Sequence, residues 1–331
     1  MGQRRFILVY GLGWVASTVF VLALIYPNLR HTARNIWGST LKRSLSKQLV
    51  TSVILAAGVF LAAFQATAQV TPQPSEALRP LDHLPALSGD YFRFESPIVG
   101  RPFHIYVRLP EGYDESSSER YPIVYLLDGD SLFPILAANH LFLTYDDGLP
   151  EAIVVGIAYG SFDPETNKRG FDFSEPAPDA GPGQGGAPAF HAFLKSELLP
   201  KVESRYRADV SRRILFGQSR GGYMVLYSAF TDPDLFWGRI ASNPAFEPGR
   251  DRFFASAATA TRDDLGLVVT SGSRDLPELR ESALEWFQEW QGRDDAPWAL
   301  HTVTIEGGTH AADSPNSYRL AMLWLFNGNR R

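Results

Sequence analysis

Three residue types at suitable intervals can open an acyl bond: a serine held in a turn, a histidine in a later loop, and a carboxylate between them in the chain. Gly217-Gln218-Ser219-Arg220-Gly221 sets a serine between two glycines. The apolar run 214–216 before it reads as a buried strand, and 223–230 after it as a buried helix. A serine on such a strand-to-helix turn is lifted above the sheet edge. The helix N-terminus behind it favours developing negative charge. Glycines two positions to either side let neighbouring backbone pass close by.

The hydroxyl needs a base, and only His301 and His310 follow Ser219. His301 falls in a predicted strand and is expected to be structural. His310 closes Glu306-Gly307-Gly308-Thr309-His310, a loop between the last predicted strand and the last helix, free to reach a serine from another strand end. The carboxylate should follow the strand 265–270, where Asp275 comes first and Glu278 second. Its work would be to hold the imidazole tautomer and stabilise the imidazolium. Asp275, two residues before Pro277, also suits a helix cap, so the acid stays open between Asp275, Glu278 and neither. An oxyanion needs two backbone N–H groups. One is expected at Arg220. The other is expected in the loop after 121–127, where Gly129 allows close approach and Asp130 or Ser131 would donate. Arg169 and Arg220 are candidate contacts for a charged substrate group. Asp128 and Asp130 have no further carboxylate or histidine cluster beside them, so neither a metal nor a cofactor is expected.

These residues must be carried by a sheet. Residues 91–96 and 104–109 alternate as a strand pair about a turn at 99–102. Apolar runs at 121–127, 152–157, 214–216, 239–242, 265–270 and 300–305 read as buried strands, with helices expected within 134–142, 190–202, 223–230, 279–290 and 318–326. Strands alternating with helices imply an α/β fold, a mostly parallel central sheet covered by helices on both faces. The Gly/Pro-rich stretch 163–188 is too long for a simple connection and is expected to wall the active site. Residues 246–264 are polar and Ala-rich and read as a cap.

The 331 residues contain no cysteine, which excludes disulfides, thiolate metal sites and a cysteine nucleophile. Residues 1–68 hold seven Lys/Arg and no acid; since the whole chain is −5, residues 69–331 carry −12, which argues against a nucleic-acid partner. Residues 6–26 form an apolar run of membrane-spanning length. A shorter run at 49–64 follows Lys42, Arg43 and Lys47 and ends at Ala66-Thr67-Ala68, the signature of a secretory signal peptide. Two readings stay open. Either residues 1–48 are a membrane helix and basic loop followed by a second membrane segment at 49–68, or they lie upstream of the true start of a signal peptide. Both place 69–331 outside the cytoplasm, periplasmic or secreted, anchored to the membrane if the N-terminal segment is not cleaved. Residues 69–89 read as a linker and 90–331 as the catalytic domain.

Together, Leu109-Pro-Glu-Gly-Tyr113, Tyr121-Pro-Ile-Val-Tyr-Leu-Leu-Asp-Gly-Asp130, Glu197-Leu-Leu-Pro200 with Tyr206-Arg207, Gly217-Gln-Ser-Arg-Gly-Gly222 and Gly308-Thr-His310 resemble the putative-esterase family. That family includes esterase D, bacterial feruloyl esterases and esterases that open iron–siderophore trilactones. The resemblance covers about residues 91–327. It implies an α/β-hydrolase fold, Ser219 as nucleophile, His310 as base, and an acid from the segment containing Asp275, where the family often has Glu. Gln218 stands where the family commonly has His, and its side chain is not expected to touch the chemistry. The function so implied is an exported serine esterase acting on small-molecule or glycan esters, siderophore trilactones or aryl and acetyl esters. An acyltransferase of the same fold and a non-catalytic binding domain on a hydrolase scaffold are the alternatives.

Overall fold

The computed structural model describes residues 84–328. The membrane, signal and basic-loop expectations at 1–68, and most of the linker, lie outside the described residues. Among the described residues, no helix is long and apolar enough to cross a membrane.

Eight strands form one sheet: β1 (Gly89–Ser96), β2 (Arg101–Arg108), β3 (Tyr121–Leu126), β4 (Ile153–Ala158), β5 (Ala208–Gln218), β6 (Gly238–Ser242), β7 (Gly266–Gly272) and β8 (Ala299–Ile305). Their spatial order is β1-β2-β4-β3-β5-β6-β7-β8. The expected pair β1–β2 is antiparallel, and β2 runs antiparallel to β4; every other pairing is parallel. The expected α/β fold is therefore observed. The chain leaves β3 for β4 on one side, then returns to place β5 on the other. Loops leaving β3 and β5 part in opposite directions, so a crevice opens beyond their C-terminal ends, where open α/β sheets bind ligands.

The helices are α1 (Gly129–Asp147), α2 (Arg169–Asp172), α3 (Ala187–Phe193), α4 (Leu199–Arg205), α5 (Arg220–Thr231), α6 (Pro277–Trp290) and α7 (Ser314–Leu323). Successive strand residues face opposite sides. Ile123, Tyr125, Leu215, Leu267 and Val269 pack into the cluster holding α3, α5 and α6. Val124, Leu126, Ile214, Phe216 and Val268 pack into the other, with α1 and α7. Both faces are covered, which is why these strands are apolar at every position.

Two elements differ from expectation. The helix expected within 134–142 begins at Gly129 and contains Pro134. Asp128 adopts the left-handed conformation (φ 54°, ψ 42°), which turns the chain into the helix with only Leu127 and Asp128 as the connecting loop. Residues 246–264 do not form a cap: Phe246 and Phe253 are buried in the main core, and the Trp286 and Trp290 indoles both donate to the Phe253 carbonyl at 2.8 Å.

Candidate active site

Ser219 follows the last residue of β5 and precedes the first of α5, with φ 59° and ψ −117°. A non-glycine residue is strained there, and strain of this kind persists only where neighbours fix it. They do: Ser219 N–H donates to the Ser242 carbonyl (2.9 Å), and the Ser219 carbonyl accepts from Tyr223 and Ala245 N–H (3.0 and 3.1 Å). The turn is so tight that a Cβ on Gly217 would lie 2.3 Å from the Gly221 carbonyl oxygen. Glycine at this position of the motif is a steric requirement.

His310 reaches Ser219 from the β8–α7 loop, its Nε2 lying 2.8 Å from the serine Oγ. Its Nδ1 lies 2.7 Å from Oδ1 of Asp275, which hangs from the loop between β7 and α6. The Asp275 side chain is 1 % exposed. Glu278 lies in the first turn of α6 and is exposed to solvent. The carboxylate beside the imidazole is thus that of Asp275. With the proton on Nδ1 directed at this carboxylate, Nε2 offers a lone pair to the serine hydroxyl. His301 sits in β8 with its ring stacked on Trp324, 5.1 Å between centroids.

The loop after β3 lies against the nucleophile turn: a Cβ on Gly221 would be 3.0 Å from Oδ2 of Asp128. Gly129 packs against β4 so closely that a Cβ would lie 2.8 Å from both Gly156 C and Ile157 N. Ser131 departs from expectation as a donor to an oxyanion, because its N–H donates to the Asp128 carbonyl at 3.0 Å. Gly129 and Asp130 stand at the start of α1, where N–H groups have no preceding helical carbonyl. The Asp130 carboxylate accepts from Tyr159 N–H (2.8 Å) and Gly160 N–H (2.7 Å), tying α1 to the end of β4.

Arg169 was expected as a substrate contact. Its Nε and Nη2 instead donate to both Asp128 carboxylate oxygens at 2.6 and 2.9 Å, and Nη2 also approaches the Gln218 carbonyl at 3.4 Å. Burial opposes the Arg169 charge, but the bonds and charge of Asp128 outweigh it and hold its pKa above the usual value. Arg220 donates through Nη1 to the Glu247 carbonyl. Burial and the nearby Arg169 charge hold the Arg220 pKa below the usual value. Among the described residues, no cluster of three or more His, Asp or Glu is placed to hold a metal.

The sequence foreshadows neither the bond that Gln218 makes at the site nor any role for Asn243. Gln218 touches no reacting atom, but its Nε2 donates to the His310 carbonyl at 2.8 Å. Asn243, at the end of β6, donates to the same carbonyl at 2.8 Å. The available signal was Asn243-Pro244 directly after a strand, since asparagine tolerates positive φ; here φ is 42°.

Known proteins are similar to this chain in sequence and in fold. Ferri-bacillibactin esterase BesA of Bacillus subtilis is 32% identical over 158 residues, 44% of this chain and 54% of that protein. The siderophore triacetylfusarinine C esterase of Aspergillus fumigatus is 31% identical over 176 residues, 49% of this chain and 57% of that protein. The chain thus spans just over half the length of these curated relatives. Siderophore hydrolase EstB of Aspergillus nidulans superposes with a TM-score of 0.61 at 23% identity, over 76% of this chain and 96% of that one, a likeness of fold. Residues 96–324 match the family model described as putative esterase, and the chain belongs to that family.

Proposed function

We propose that the protein is a serine ester hydrolase with Ser219 as nucleophile, His310 as general base and acid, and Asp275 as the group that orients the imidazole. The observation that carries this reading is the unbroken chain Ser219 Oγ–His310 Nε2–His310 Nδ1–Asp275 Oδ1, at 2.8 and 2.7 Å, on a strained turn at the sheet's crevice. Ser219 Oγ bonds to the ester carbonyl carbon while its proton passes to His310 Nε2. The imidazolium returns that proton to the departing alcohol. Water then attacks the acyl-enzyme through the same nitrogen and releases the acid and free serine. The backbone N–H of Arg220 and an N–H at Gly129 or Asp130 receive the oxyanion.

The substrate is a small-molecule ester of the siderophore type, in line with the names of the relatives. An open cleft of about 370 Å³ beside the β3 loop is lined by Tyr106, Gly129, Asp130, Phe133, Pro134 and Phe162. Its aromatic walls suit an aryl part of such an ester, and Arg220 beside the serine suits an anionic one. Placement outside the cytoplasm is supported by the apolar run at 49–64, its preceding basic residues and Ala66-Thr67-Ala68, which suit a signal peptide or a second membrane segment.

The test is hydrolysis by the purified full-length chain of p-nitrophenyl esters and of a trilactone siderophore, with and without Fe(III), beside Ser219→Ala. Wild-type turnover of at least about 10⁴ times the variant's is expected. Acyl groups diverted from water by an added alcohol acceptor would move the assignment to acyl transfer. A folded wild type that turns over nothing would overturn it.

A further inference from the structure

The three proposed catalytic side chains hang from three different loops, after β5, β7 and β8. A hydrogen-bond chain works only if those loops keep register to a fraction of an ångström. One buried side chain touches or adjoins all three. Asn243 is 1 % exposed and sits where β6 ends, between β5 and β7 in the sheet. Its own N–H donates to the Thr270 carbonyl on β7 at 2.9 Å. Its Oδ1 accepts from Gly272 N–H, at the end of β7 and three residues before Asp275, at 2.7 Å. Its Nδ2 donates to the carbonyls of Thr309 (3.3 Å) and His310 (2.8 Å). The residues on either side of the Asn243-Pro244 pair, Ser242 and Ala245, bond the backbone of Ser219. The positive φ of 42° directs this amide across the strand ends.

We infer that Asn243 is the positioning residue of the active site: it locks the His310 loop to the Asp275 strand and the Ser219 turn, with Gln218 as a second donor to the same His310 carbonyl. Its role rests on the esterase reading above. Asparagine meets three demands at once: an acceptor for Gly272, a donor for two carbonyls, and tolerance of positive φ. Aspartate meets only the first and third. Glycine keeps the backbone and loses both side-chain functions.

The experiment compares wild type, Asn243→Asp, Asn243→Gly and Gln218→Met as full-length chains. Asn243→Asp and Asn243→Gly are expected to lower kcat by about 30- to 100-fold with KM within about two-fold, as for a displaced catalytic group. Gln218→Met alone should cost only a few-fold. Combined with Asn243→Gly it should cost more than the product of the two, because each donor covers for the other. Amide exchange across 306–313 should quicken in both Asn243 variants while β1 and β2 stay unchanged. Wild-type kcat in Asn243→Gly, or a rise in KM alone, overturns the inference. If wild type itself is inactive, the esterase reading fails, and exchange still decides: unaltered protection at 306–313 in both variants refutes the lock.

Discussion

At the scale of single residues, the assignment turns on which carboxylate serves His310. Asp275 lies 2.7 Å from Nδ1 and is shielded from water, whereas Glu278 faces solvent in the first turn of α6. Asp275→Asn is therefore expected to lower kcat by about 10⁴-fold, since an amide favours the wrong imidazole tautomer. Glu278→Gln should leave kcat within about two-fold. Steady-state kinetics of the two variants side by side checks this; equal losses would show that the acid has been misassigned. In the proposed mechanism Arg220 contributes in two ways, by its backbone N–H to the oxyanion and by its guanidinium to an anionic substrate. Replacement by Gln leaves the N–H in place. It is expected to raise KM several-fold for an anionic ester and to leave KM for a neutral p-nitrophenyl ester unchanged. Equal KM values for the anionic ester in variant and wild type would remove the guanidinium from recognition.

At the scale of elements, the β3–α1 junction leaves no room for a side chain at Gly129. Gly129 has backbone of β4 at 2.8 Å from where a side chain would begin, and backbone cannot rotate away as a side chain can. Gly129→Ala is expected to destabilise the protein by about 1–3 kcal/mol. It should also lower kcat, because the proposed oxyanion donors at Gly129 and Asp130 must move. A denaturant midpoint equal to wild type would contradict the packing described here. The same junction shows what was legible in the sequence. The strands were, because a sheet buried on both faces demands continuous apolar runs, such as 121–127. The serine turn was, because its glycines are sterically required within a few residues of each other. Where α1 starts was not legible: Pro134 imitates a helix beginning, while the true start depends on the left-handed Asp128 held by Arg169, 41 residues away. Asn243 was not legible for the same kind of reason. Its partners at 272, 309 and 310 meet it only because β6 lies beside β7 in the folded sheet. Phe246 and Phe253 were concealed in an Ala-rich stretch whose composition resembles surface.

At the scale of the whole molecule, two buried histidines away from the active site oppose protonation of the folded chain. His140 bridges the Pro150 carbonyl (3.1 Å) and the Tyr318 hydroxyl (3.0 Å), joining α1 to α7, and burial pushes its pKa down to about 4. His191, in α3, is likewise lowered to about 4 by burial. Between about pH 6.5 and about pH 4 the unfolded chain binds protons at these positions that the folded chain refuses. Stability is therefore full above that window and falls as pH drops through it, by up to about 3 kcal/mol for each histidine. Urea midpoints measured from pH 8 to pH 4 should decline below pH 6.5, and His140→Gln should flatten the decline. A wild-type midpoint constant across that range would contradict the neutral, buried state of these rings.

Ser219 is proposed as a nucleophile activated by His310. Treatment of the purified full-length protein with a fluorophosphonate, followed by mass-spectrometric peptide mapping, puts that activation to the test. One adduct is expected, on Ser219, formed rapidly by wild type, slowly by His310→Ala, and absent from Ser219→Ala. A folded wild type that takes no label, or takes it on a different serine, would remove Ser219 as the nucleophile.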